Sequence, residues 1–209
     1  MDETIIYTDD LTDAEKVAEL TEMYLTLPES IRRTLEEYDC AIYLSGEANK
    51  KWDGSLSASE AEEAEETSAI YTAVVAVGPH YMYNSLSNHI TSVLQAPYIV
   101  YFSMYDSPAD VLIHEVGHVL DYIATLRSGY VYDGSNLALS SSEEWEEIYA
   151  ADADAIAAID ERATINAGKN AAECFAEAFR LAYTNPDALI ADSPAAWNYV
   201  QQAVTDTTT

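Results

Sequence analysis

The spacing of apolar residues changes character partway along the chain. Thr4-Ile-Ile-Tyr7 and Cys40-Ala-Ile-Tyr-Leu44 are short apolar runs that predict strands. Between them, Val17, Leu20, Tyr24 and Leu27 recur every three or four residues, the spacing of one helix face, and Thr12-x-x-Glu15 opens that helix as a capping box. A second short helix is expected after Pro28, with Ile31 and Leu35 turned inward. Residues 45–69 are polar and acidic, with the run Glu60-Ala-Glu-Glu-Ala-Glu-Glu66, and read as a surface excursion. Ile70–Val77 and Tyr98–Met104, rich in Val, Ile and Tyr, are the strongest strand predictions.

From residue 107 the period becomes helical. Ser107-Pro108-Ala109-Asp110 supplies an N-cap, a proline at the first helical position and an acid in the first turn. Val111, Leu112, Val119, Leu120 and Ile123 give the following helix apolar faces to bury. Ser141-x-x-Glu144 opens a helix carrying Trp145, Ile148, Tyr149, Ile156 and Ile159. Another helix contains Glu173, and Ser193-Pro194 starts a last one with Trp197 and Val200, ending in a frayed tail at Thr205–Thr209. Strands and helices first, then helices alone, predict an α+β fold: a small mixed sheet, an active-site helix and a helical C-terminal lobe. One domain over residues 1–209 is expected, with an N-terminal α/β lobe to about residue 125 and a helical lobe over about 126–204.

The helix after Pro108 contains His114-Glu115-Val-Gly-His118. Residues four apart on a helix share a face, so both imidazoles can aim at one ion. Glu115, one step round, can hold a water on that ion and take its proton. Metal-assisted peptide hydrolysis needs this arrangement, because zinc lowers the pKa of bound water to about 7 and polarises the scissile carbonyl. The chain has only four histidines, and two fall at this spacing. The alternative is a pair of partly buried histidines satisfied by local hydrogen bonds. Gly117 lowers helix propensity by roughly 1 kcal/mol against Ala, which is worthwhile if another backbone or ligand comes close there. The other two histidines, His80 and His89, lack ligand spacing and read as surface or loop residues.

A tetrahedral catalytic zinc takes three protein ligands and leaves one position open. Glu173 and Glu177, four apart on a later helix, are the best suppliers. Glu173 would be the third ligand and Glu177 would orient one histidine. Asn170-x-x-Glu173 is also close to a capping box, so helix capping competes as an explanation. Asp121, three residues after His118, is a competing ligand better suited to capping or to supporting a histidine.

His114-Glu-Val-Gly-His-Val-Leu-Asp121 followed by Glu173-Cys-Phe-Ala-Glu-Ala-Phe-Arg-Leu181 resembles the catalytic domain of anthrax lethal factor and the related secreted Pro-Pro endopeptidases. The likeness spans roughly residues 108–203. It implies a zincin fold of the gluzincin type, one Zn2+ held by His114, His118 and Glu173, catalysis by Glu115 and a supporting role for Glu177. It also implies secretion and cleavage of a protein or peptide. One position departs from the family. The tyrosine expected seven residues before the ligand glutamate, thought to stabilise the oxyanion, is Asn166 here. An asparagine amide can donate to an oxyanion but is shorter. Tyr130, Tyr132 or Tyr149 could substitute from other segments.

Composition narrows the partners. The 209 residues include 37 acids against 9 bases, a net charge of −28. Such a field repels nucleic acid and anionic membranes. It would steer cationic substrates, although a charge excess also serves simply as solvated surface. No run approaches the roughly 20 apolar residues of a membrane span. Met1-Asp-Glu-Thr4 is acidic where a signal peptide is basic, which fits an intracellular chain or one already processed; the resemblance favours secretion. Cys40 and Cys174 read as small buried hydrophobes rather than a disulfide. Tyr81, Tyr83, Tyr98, Tyr101 and Tyr105 could line a groove for extended or proline-rich peptides, but packing of a small sheet explains them better. Two functions stand: a monomeric zinc endopeptidase, or a catalytically weak, zinc-bearing protein-binding module suggested by Asn166.

Overall fold

The computed structural model describes residues 5–8, 14–44, 71–76, 82–84, 89–91, 99–103, 108–129 and 136–209, with side chains placed at 5–6, 14–42, 111–129 and 136–209. Where side chains are placed, 77% of residues are helical, and Ile6, Ala41 and Ile42 are the strand positions. Among these residues the expected α+β class built on a small mixed sheet is overturned: they are mostly helical, and helices supply most of the buried core. The runs expected as strands at Ile70–Val77 and Tyr98–Met104 do form strands, at Tyr71–Ala76 and Ile99–Ser103, but among residues with placed side chains most of the buried apolar ones lie on helices.

Those helices are α1 (Ala14–Thr26), α2 (Glu29–Glu37), α3 (Pro108–Arg127), α4 (Glu143–Ala157), α5 (Glu161–Asn166), α6 (Ala171–Thr184), α7 (Pro186–Asp192) and α8 (Pro194–Thr208). Strand backbone is described at β1 (Ile6–Thr8), β2 (Ala41–Leu44), β3 (Tyr71–Ala76), β4 (Met82–Asn84), β5 (His89–Thr91) and β6 (Ile99–Ser103). β1 pairs parallel with β2, β2 antiparallel with β3, β3 antiparallel with β6, and β4 antiparallel with β5. β6 ends the order β1-β2-β3-β6 and packs beside α3. His89, expected on the surface or in a loop, opens β5 opposite Asn84.

Leu20 and Tyr24 from the first helix, Leu27 just past its end, and Ile31 and Leu35 from the second are buried as their spacing predicts. They join one cluster with Leu112, Ile113, Val116, Val119 and Ile123 of α3 and Phe175, Phe179 and Leu181 of α6. α3 finishes at Arg127, and Gly129 beyond it takes φ +79, the left-handed region that glycine enters without strain. Trp145 locks α4 onto the start of α6: its indole N–H donates to the Ala171 carbonyl at 2.8 Å and its ring meets Phe175 edge-on. The cap of α4 is Ser142 rather than Ser141, accepting from the Trp145 N–H. Ser193 caps α8 as its Ser-Pro start predicts. Cys40 and Cys174 are free, buried thiols. None of the described helices is long and apolar enough to cross a membrane. Thr4, Thr12, residues 45–69, the Ser107 cap, His80, Tyr130, Tyr132 and the side chains of the tyrosine-rich segment lie outside the described residues.

Candidate metal centre

α3 is apolar on most of its circumference, and Leu112, Ile113, Val116 and Val119 have no exposed surface. The turn bearing His114 and His118 is therefore fixed by packing. Gly117 lies between them in sequence, and α6 presses against it. A Cβ at this position would stand 3.1 Å from the Ala176 Cα and 3.2 Å from Phe179. The missing side chain lets the two helices approach, and the approach brings the acids of α6 to the histidines of α3.

At the start of α6, Asn170 accepts from the Glu173 N–H at 2.9 Å. Capping and ligation are compatible: the backbone of Glu173 takes the cap while its side chain turns to α3. Glu173 Oε2 lies 3.4 Å from His114 Nε2 and Oε1 lies 3.6 Å from His118 Nε2. The two Nε2 atoms are 3.2 Å apart, with the rings edge to face. Ligands at 2.0–2.1 Å around a tetrahedral ion stand about 3.3 Å from one another, so the Nε2 pair matches one such edge, and the Glu173 carboxylate presents one oxygen near each of the two nitrogens. Glu115 adds a carboxylate beside them, and His114, Glu115 and His118 form a group that could hold a metal ion, their ligand atoms all within 4.8 Å.

The charges favour a cation. Burial alone would lower the His114 pKa, yet Glu173 and Glu177 outweigh it and raise it to about 9. His114 and His118 together hold Glu173 well below the ordinary carboxylate range. Burial pushes Glu115 upward, against the pull of His114 and His118. A site that draws a proton this strongly offers the same field to a metal ion.

Glu177, with no exposed surface, stands behind His114: Oε1 is 2.9 Å from His114 Nδ1, an ion-pair distance without the alignment of a hydrogen bond. Desolvation would raise its pKa, but His114, Arg180 and Asn166 bring it down to about 2. Arg180 Nε donates to Glu177 Oε2 at 2.7 Å, and Asn166 Nδ2 donates to Oε1 at 2.9 Å. The amide that the sequence offered to an oxyanion is thus engaged with Glu177. Asp121 faces elsewhere, its two oxygens accepting from the Leu139 and Ser140 N–H groups at 2.7 and 3.1 Å, so it fastens the segment after α3. The Tyr149 hydroxyl points to the Gly168 carbonyl at 3.5 Å.

Asp160, Arg162 and Arg180 also belong to this network, and none of them stands out in the sequence as a site residue. The signal for Asp160 was present: Asp160-x-x-Ala163 caps α5, a helix too short to show periodicity. Arg180 gave a weaker one, a lone base among apolar residues on α6. The sequence matches no protein-family model and no curated protein.

Proposed function

We propose that this protein is a zinc-dependent endopeptidase in which His114, His118 and Glu173 hold the metal and Glu115 is the general base. The observation that carries this reading is the convergence of both Nε2 atoms, 3.2 Å apart, with the Glu173 carboxylate, whose two oxygens lie 3.4 and 3.6 Å from them. Bound zinc would supply a Lewis acid for the scissile carbonyl and a water acidic enough to attack near neutral pH. The chain's own residues do the rest. Glu115, its pKa raised by burial, accepts a proton from the attacking water and delivers it to the leaving amine. Glu177 faces His114 Nδ1 and favours the tautomer that leaves Nε2 free to ligate. An extended peptide is the expected substrate, because β6 lies beside α3 and a strand edge can pair with it.

The test is cleavage of a proteome-derived peptide library by the zinc-loaded chain, read by mass spectrometry beside Glu115→Ala. Cuts that disappear in a variant still holding zinc are the expected result. A chain that holds one zinc and cuts nothing would overturn the protease. The second reading, a zinc-bearing module that binds protein, would then stand, favoured by Asn166 and its commitment to Glu177.

A further inference from the structure

Positive charge is scarce in this chain, with 9 bases against 37 acids, yet three of them gather at one buried carboxylate. Arg180 donates to Glu177, Arg162 Nε approaches it at 3.5 Å, and Lys169 Nζ donates to Asn166 Oδ1 at 2.6 Å while Asn166 grips Glu177. Arg180 is itself buried, with 2% of its side chain exposed, so it needs partners for its whole fork. Nε goes to Glu177, and Nη2 goes to Asp160, 2.9 and 2.8 Å from its two oxygens. Nη1 reaches Thr184 Oγ1 at 3.4 Å.

The division of the fork matters for the metal centre. A guanidinium prefers to grip one carboxylate with two parallel hydrogen bonds. If Nη2 were free, Arg180 could take both oxygens of Glu177 and draw Oε1 from His114 Nδ1. Asp160 prevents this by occupying Nη2, which leaves Arg180 on Oε2 alone and Oε1 facing the histidine. Asp160 also accepts from the Ala163 N–H at 2.8 Å, fixing the start of the helix whose last residue is Asn166. Both hands on Glu177 therefore trace back to one aspartate that touches no proposed ligand.

We infer that Asp160 is a positioning residue for the metal centre, acting through Arg180 and Asn166 on Glu177 and thereby on His114. The inference rests on the zinc reading above. Loss of a carboxylate that orients a ligand histidine typically weakens metal binding by about 10–100-fold, and Asp160, one contact further out, is expected near the lower end.

The test is zinc affinity by competition with a chromophoric chelator, with the visible spectrum of the cobalt-loaded chain as a second readout. Asp160→Ser keeps a capping oxygen for α5 and removes the Arg180 pair. Asp160→Asn keeps the cap and one acceptor for Arg180, and provides a milder variant should the serine chain fold poorly. Zinc binding about tenfold weaker in Asp160→Ser, with a smaller loss in Asp160→Asn and an altered cobalt spectrum, is the expected result. Wild-type affinity and spectrum in both variants, with a lowered unfolding midpoint, would make Asp160 a structural cap and overturn the inference alone. A wild-type chain that takes up no stoichiometric zinc would sink the zinc reading, and this inference with it.

Discussion

α3 and α6 each carry a pair of ionisable residues four apart, and the two pairs are used differently. His114 and His118 both bring Nε2 forward to one point, 3.2 Å from each other. Glu173 and Glu177 divide: the first, 28% exposed, faces both histidines from the front, while the second is wholly buried behind His114. Spacing places two side chains on a face; the neighbouring elements decide what each does there. On α3 the face meets an acid that both imidazoles can share. On α6 the second acid meets Arg180 and Asn166, which hold it away from the front of the site.

The contrast breaks most sharply at the two glutamates. Glu173→Gln removes the proposed anionic ligand, and stoichiometric zinc should be lost. Glu177→Gln should keep zinc with roughly 10–100-fold lower affinity. It should also lower stability by about 3–5 kcal/mol, the usual consequence of stripping a buried ion pair of one partner. Chelator competition and denaturant unfolding of both variants separate the effects. Equal loss of zinc in the two would mean that both acids ligate, and the front-and-back division would be wrong.

Acid and base should act on opposite members of the contact between the helices. In the metal-free chain, Glu177 sits at about 2 against an ordinary 4.5, so its contribution to stability is present above the ordinary value and lost as pH falls toward 2. His114 sits at about 9 against an ordinary 6.5, so its contribution is complete below 6.5 and lost as pH rises through 9. The chelator-treated chain should therefore be most stable between those ordinary values, 4.5 and 6.5, in urea unfolding followed across pH. With zinc bound to the imidazoles the alkaline decline should flatten, because the metal replaces the proton on His114 Nε2 and the ring stays neutral, so it no longer titrates through 9. A metal-free stability that keeps rising to alkaline pH would contradict the arrangement around His114.

Much of the candidate centre was legible because its residues lie within single turns. His114, Glu115 and His118 follow from helical spacing, and Glu173 and Glu177 from the same period on α6. Asp160 and Arg180 were not legible: they meet across 20 residues, through a fork whose geometry no local pattern encodes. Asn166 misled for a related reason, since its position relative to Glu173 suggested the front of the site while α5 turns its amide onto Glu177. The helices of the C-terminal half were visible in their caps and apolar periods, except α5 and α7, too short for either to accumulate. The Val- and Tyr-rich runs were legible as strands, at Tyr71–Ala76 and Ile99–Ser103; the fold class was not, because among residues with placed side chains the helices carry most of the buried apolar positions.

Gly117 gives the gentlest way to separate the two helices. Alanine there would gain about 1 kcal/mol of helix propensity. Against this, its Cβ would stand 3.1 Å from the Ala176 Cα, backbone that cannot turn aside, and 3.2 Å from two atoms of Phe179. Overpacking of this kind typically costs about 1–3 kcal/mol, so a net loss of about 1 kcal/mol is expected in denaturant unfolding. The site reports on the same displacement in another way. If α6 retreats by a few tenths of an ångström to admit the methyl group, Glu173 moves away from both Nε2 atoms together, while Glu177 remains tied to Arg180 on its own helix. Zinc affinity should then fall although no ligand and no supporting residue has been changed. A Gly117→Ala chain that is more stable than wild type and binds zinc equally well would show that the helices are not held apart by this contact, and that the meeting of Glu173 with the histidines is set elsewhere.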